Sequence, residues 1–116
     1  MTPGTYNIPT QVNGDTFDGV QFTLTSTVDS VTTPIDLTDC LLFCQFKDSK
    51  GIVVRDMSIG NGITVTDAVD GIFRIDSFLL TIGVGTFVYD IQLIYNSGVV
   101  KTYVKGQIII LPDVTK

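Results

Sequence analysis

The chain has 116 residues and a formal net charge of −5, with 44% hydrophobic and only 16% charged residues. That length predicts one domain able to bury roughly two-thirds of its unfolded surface without staples, and an acidic balance with scattered basic residues excludes partners held by phosphate charge, so neither nucleic acid nor an anionic membrane surface is expected. No apolar run reaches the ~18 residues of a membrane helix, and MTPGTYNIPTQVNGD lacks a basic-then-apolar signal pattern, so synthesis and folding in a cytoplasm are expected.

In chain order, residues 1–14 read as an N-terminal arm. Pro3, Gly4 and Pro9 keep it from becoming a long central strand, so it lies along the body as an edge or reaches a neighbour. A strand follows in DTFDGVQFTLTST, where Phe22 and Leu24 alternate with Gln21, Thr23 and Thr25. Ser26–Pro34 reads as a polar loop. Leu37 to Phe46 is the second long strand, with Cys40, Leu42, Cys44 and Phe46 on one face and Leu41 and Phe43 on the other. Lys47–Gly51 supplies a hairpin loop, and Ile52–Met57 returns. Asn61-Gly62 and Asp70-Gly71 are turn dipeptides on either side of a short strand, Ile63–Thr66. Ile72, Phe73, Ile75 and Phe78 come next, then a loop punctuated by Gly83 and Gly85. The closing pair is Thr86–Tyr95 and Val99–Leu111, joined by Asn96-Ser97-Gly98.

Helix periodicity with caps is missing throughout. About seven to eight short strands, with turns every 8 to 12 residues or so, predict an all-β chain: an antiparallel β-sandwich of immunoglobulin-like size, residues 15–116. A parallel sheet would call for long crossovers, and none is visible. Tyr89 in GTFVYDIQL stands where such sandwiches carry a tyrosine corner, although Phe87 competes for that place. Charged residues fall well below the ~25% of typical domains. Ile108 to Leu111 run in a row, so the last strand, like Leu41–Phe43, is apolar on both faces. Charge depletion of this kind marks surfaces that are covered by other proteins.

Chemistry is hard to find. The chain has no His, which removes the commonest general base and metal ligand. Cys40 and Cys44, if on one strand, lie about 13 Å apart, too far for a disulfide. Without a third soft ligand they do not make a metal site, and they read as reduced core thiols. The glycine-rich GNG and GVG lead into no helix, so no phosphate cradle forms. Asp15/Asp18 and Asp67/Asp70 flank turns. Turn chemistry explains them, with Ca²⁺ binding and acid–base work as the sharper alternatives. Asp90, inside VYDIQL, either faces solvent or is a buried carboxylate held by backbone, Arg55 or Arg74. Neither reading makes it catalytic. No catalytic, cofactor-binding or metal residue is assigned, and no enzyme activity is expected.

Several segments together carry a resemblance: YNIPTQVNGDTFDGVQFTL, PIDLTDCLLFCQFKDSKG, IGNGITVTDAVDGIFRID and GTFVYDIQLIYNSGVVKTYVKGQIII. The pattern resembles the immunoglobulin-like domain at the N-terminus of phage baseplate upper proteins and related tail or fibre proteins. It runs from about Tyr6 to Thr115, most tellingly at Pro34–Thr38, from Gly62 through Gly71, and at Tyr89-Asp90 followed by Gly98 and Gly106. The resemblance implies a non-enzymatic virion structural protein, a baseplate or tail component docking one virion part on another in multiple copies. Such domains often head a chain that ends in a coiled coil or receptor-binding tip. Here the sequence runs to Lys116 without one, so a stand-alone element is expected, with a capsid or neck decoration protein as the alternative. A module binding host-surface glycan is a further class, but there is no Trp, and Tyr6, Tyr95 and Tyr103 do not share a loop.

Overall fold

A computed structural model describes residues 4–113, and among them every regular element is a strand. The first three strands are short: β1 (Gly4–Thr5), β2 (Gln11–Val12) and β3 (Thr16–Phe17). They lead into β4 (Val20–Thr23), β5 (Thr25–Val28), β6 (Val31–Pro34), β7 (Leu41–Lys47) and β8 (Val53–Ile59). The remainder are β9 (Gly62–Asp67), β10 (Ile72–Ile75), β11 (Phe78–Leu79), β12 (Gly85–Ile94) and β13 (Val100–Leu111). Nine strands form one sheet in the order β1-β13-β12-β7-β8-β9-β10-β4, with β2 also on β13. Two small ladders, β3–β11 and β5–β6, stand off it. The molecule is thus an all-β, curled mixed sheet, a half-barrel.

Two-residue alternation explains the long strands. Along β7, Leu42, Cys44 and Phe46 are buried while Leu41 is 53% exposed. Along β12, Phe87, Tyr89, Ile91 and Leu93 are buried and the residues between them are not. Successive side chains of a strand point to opposite faces, so these sets meet on the inner face with Met57, Ile63, Phe73, Ile75, Ile108 and Ile110. Phe46 lies between Tyr89 (ring centroids 5.7 Å apart) and Phe78 (6.3 Å). Phe22 of β4 stacks on Phe73 of β10 at 5.5 Å. Tyr6 follows β1 at one end of the strand order, and it meets Phe22, at the other end, edge-on at 5.6 Å. The curl therefore brings the two ends of the sheet together over a single core.

Three ladders are parallel, where a wholly antiparallel sheet was expected: β1 with β13, β2 with β13, and β8 with β9. The first two need no dedicated crossover because they join opposite ends of the chain. The third arises where the chain doubles back within a few residues, pairing Ser58 with Gly62 and Ile59 with Ile63. Gly60 and Gly62, at φ 84° and 95°, make that turn, and a Cβ on Gly62 would come within 2.7 Å of the Met57 Cγ. The strand count also exceeds expectation. β1, β2, β3 and β11 are two-residue pairings, and Ser26–Pro34 is not a loop but lies within the β5–β6 hairpin, turned by Asp29 and Ser30 at φ 51° and 66°. The second long strand begins at Leu41 rather than Leu37, because Asp36 accepts from the Thr38 amide (2.9 Å) and hydroxyl (2.6 Å) and holds the chain in a turn.

Residues 4–12 form a strap along β13. Gly4 and Thr5 pair with Val104 and Lys105, and Gln11 and Val12 with Ile110 and Leu111. Between them the Tyr6 amide donates to the Lys105 carbonyl and the Ile8 amide to the Gln107 carbonyl, both at 2.9 Å. Pro9, with no N–H to give, sits where the two pairings part. Ile8 is buried. The Tyr89 hydroxyl donates to the Tyr6 carbonyl at 2.5 Å. Tyr89 is therefore not a local corner: its acceptor lies 83 residues upstream, and the bond pins the strap.

Candidate interaction face

The two thiols lie inside the fold. Cys40 and Cys44 are both free and buried. Cys40 precedes β7, its Sγ near the carbonyls of Asp36 and Thr38 at 3.7 Å. Cys44 is fully enclosed, and burial first, then the charges of Asp90 and Asp56, push its thiol up to about 12. A thiol nucleophile must be a thiolate, and burial raises both thiols, so both cysteines are expected to react slowly with Ellman's reagent in the folded protein and at once in guanidinium. Two fast-reacting thiols in native buffer would contradict this burial.

The carboxylates are dispersed over turns and strands. Asp67 Oδ1 accepts from the Asp70 amide at 3.2 Å. Hydrogen bonding to Asp67, and then its charge, raise the Asp70 carboxyl above its ordinary value. Among the described residues no group of three or more Cys, Asp or Glu could hold a metal ion. Asp18 offers only its carbonyl, which Arg74 approaches at 3.4 Å. Arg74 also pairs with Asp76 at 3.7 Å, while the Arg55 guanidinium lies over the Phe78 ring, 3.6 Å from its centroid. Neither arginine holds Asp90, which is half-buried on the outer face of β12.

The outer face of β13, β12, β7 and β8 gathers charged and apolar side chains. Register sets Lys105, Asp90, Gln45 and Asp56 side by side across β13, β12, β7 and β8. One step along, Gln107, Val88 and Lys47 form the next row. Toward the other end, Ile94 lies between Val100 and Leu41, and Gln92 pairs with Phe43. Val88, Leu41 and Val100 are each half or more exposed. A groove of about 400 Å³ runs over the face, lined by Thr5, Asn7, Lys47, Val88, Asp90 and Lys105 among others. It continues into a second hollow of about 300 Å³ bordered by Phe43, Asp56 and Gln92.

The electrostatics of the face differ from the rest. Lys47, Lys105, Asp56 and Asp90 cancel. The rest of the chain then holds 12 − 2 = 10 acidic and 7 − 2 = 5 basic residues, so the entire −5 arises outside these four. Leu41 and Phe43 were legible in the sequence as an outward apolar pair. The neutral patch was not, because it depends on strand register.

No protein-family model matches the chain, and no curated protein matches it. Among solved structures, the crystal structure of CopC from Methylosinus trichosporium OB3b matches with a TM-score of 0.51 at 13% identity, over 91% of this chain and 84% of that one. At that identity the likeness speaks for the fold alone. It also corrects the resemblance to baseplate upper proteins: the fold likeness found runs to CopC, and nothing found links the chain to a phage protein. The segments quoted for that resemblance are turn-and-strand patterns, which many β proteins share.

Proposed function

We propose that the protein is a non-enzymatic structural module that works by protein–protein contact between several copies, with the outer face of β13-β12-β7-β8 as its contact surface. The observation that carries this reading is the charge-balanced, partly apolar face on an otherwise acidic chain. Like charge repels two copies elsewhere on the surface, while here they can approach without that penalty. An ordinary interface covers roughly 800 Å² per partner. At about 25 cal/mol per Å² of apolar area, the gross gain is on the order of 10 kcal/mol, much of it consumed by association costs. Repetition in an assembly recovers affinity through avidity. The single core shared by residues of β4, β10, β7 and β12 supports reading the domain as a β-sandwich of immunoglobulin type, mainly antiparallel, with parallel pairings at the N-terminal strap and between β8 and β9.

Sedimentation equilibrium tests the proposal. The wild type should self-associate in the micromolar to millimolar range. Leu41→Asp with Val88→Asp should weaken association about tenfold or more, with little change in melting temperature because both positions are solvent-facing. A wild type that stays monomeric at millimolar concentration overturns the reading, and so does a double variant that associates unchanged.

A further inference from the structure

The β5–β6 hairpin has no place in the core. Its eight strand residues are exposed apart from one half-buried serine, and it pairs with no strand of the main sheet. A lone two-stranded hairpin is marginal in water. This one nevertheless places Val28 and Val31, 66% and 60% exposed, on either side of its turn. The turn residues, Asp29 and Ser30, both have positive φ, which suits a tight two-residue hairpin. Asp29 is the only charged residue between Thr25 and Pro34. The tip is thus two valines around one carboxylate.

The groove on the outer face has the complementary make-up. Its charged lining is Lys47, Lys105 and Asp90, a local balance of +1, and Val88 supplies apolar wall. The two features lie toward opposite ends of β7. The hairpin base is closed by the Ile35 amide on the Leu24 carbonyl, shortly before β7 begins at Leu41. The groove lies at the other end of β7, at Lys47, about 20 Å away at the rise of an extended strand. The long axis of the body is 51 Å against 25 and 24 Å across.

We infer that the tip of the β5–β6 hairpin of one copy seats in the Lys47/Lys105 groove of the next, Asp29 meeting the two lysines and the valines covering Val88. This rests on the self-association proposed above and adds its geometry. A contact between two different patches is heterologous, so copies join head to tail into rings or open filaments rather than stopping at a two-fold dimer.

A reciprocal charge swap tests it by sedimentation velocity, with circular dichroism confirming that each variant is folded. Asp29→Lys, and separately Lys47→Asp with Lys105→Asp, should each raise the apparent dissociation constant about tenfold or more, since like charges then meet at the contact. Mixing the two variants should restore assembly, because every tip then finds a groove of opposite sign. If Asp29→Lys associates as the wild type does, the hairpin is not the occupant, while contact between copies still stands. Weakened variants whose mixture fails to recover overturn the pairing of tip with groove. A wild type with no self-association removes both this inference and the reading beneath it.

Discussion

Gly106→Ala is expected to lower stability by about 2–4 kcal/mol and to free the strap of residues 4–12 from β13. Gly106 is the ladder partner of Tyr89, and its missing side chain is where the strap lies. A Cβ there would stand 1.9 Å from the Tyr6 carbonyl oxygen and 3.0 Å from Cε1 of Tyr89. Both the strap backbone and the ring that pins it must give way. The loss combines several contributions: backbone bonds from the Tyr6 and Ile8 amides, at about 1 kcal/mol each; part of the burial of Ile8, about 1.5–3 kcal/mol when complete; and the Tyr89 hydroxyl bond. Elsewhere in a strand the same change would be neutral or mildly stabilising, because glycine loses more chain entropy on folding. Gly4→Ala makes the contrast: a Cβ there meets only the Tyr103 carbonyl at an ordinary 3.6 Å. Urea unfolding should place Gly106→Ala well below wild type and Gly4→Ala beside it. Amide exchange should quicken at Tyr6 and Ile8 in the first variant alone. A Gly106→Ala protein as stable as wild type, with Tyr6 still protected, would show that the strap does not depend on this gap.

How far the sequence alone reaches can be judged residue by residue. Leu42, Cys44 and Phe46 alternate with Leu41, Phe43 and Gln45, none of them buried, and the period-two burial follows the alternation. Asp70-Gly71 is read correctly as a turn because positive φ is a local demand, which Gly71 meets at 71°, whereas the turn expected at Asn61-Gly62 falls one step earlier, at Gly60, and Gly62 opens β9. The β5–β6 hairpin escapes because its alternation is Thr and Ser with almost no apolar partner, so it looks like loop. Asp29 and Ser30 are also weaker turn signals than Asn-Gly. The strap is half legible: Pro3, Gly4 and Pro9 already point to an arm lying along the body as an edge, but its partner strand and parallel sense are not, because that partner is about a hundred residues away and two short pairings leave no periodicity. Gly106 has nothing local to explain it, and its cause is Tyr6. The outer face was half legible: Leu41, Phe43 and Asp90 fall outward by alternation, but the row Lys105-Asp90-Gln45-Asp56 exists only once four strands are in register.

Stability is expected to hold through neutral pH and then fall steeply between about pH 9 and 12, with Cys44 as the main cause. In the unfolded chain this thiol ionises near 9.0, and in the folded protein burial delays it to about 12. Between those values the unfolded state gives up a proton that the native state keeps, so rising pH favours unfolding. At 1.36 kcal/mol per unit, a shift of this size costs about 4 kcal/mol once pH 12 is reached, an appreciable part of a domain's total. Tyr89 acts in the same direction above 10.0, its phenol raised by burial first and then by the neighbouring Cys44. Burial, and next the hydrogen bond between the Tyr95 and Tyr103 hydroxyls, push Tyr95 up to about 12. The general rise in negative charge at high pH would also destabilise the fold, so the thiol must be isolated by difference. Cys44→Ala removes the titrating group and costs some packing at all pH values, but it should flatten the decline between pH 9 and 12 by up to about 1.4 kcal/mol per unit relative to wild type. Urea midpoints taken at half-unit intervals from pH 7 to 12 read this directly. Parallel curves for the two proteins would mean that the Cys44 thiol ionises as readily folded as unfolded, and that the inner face of β7 admits water.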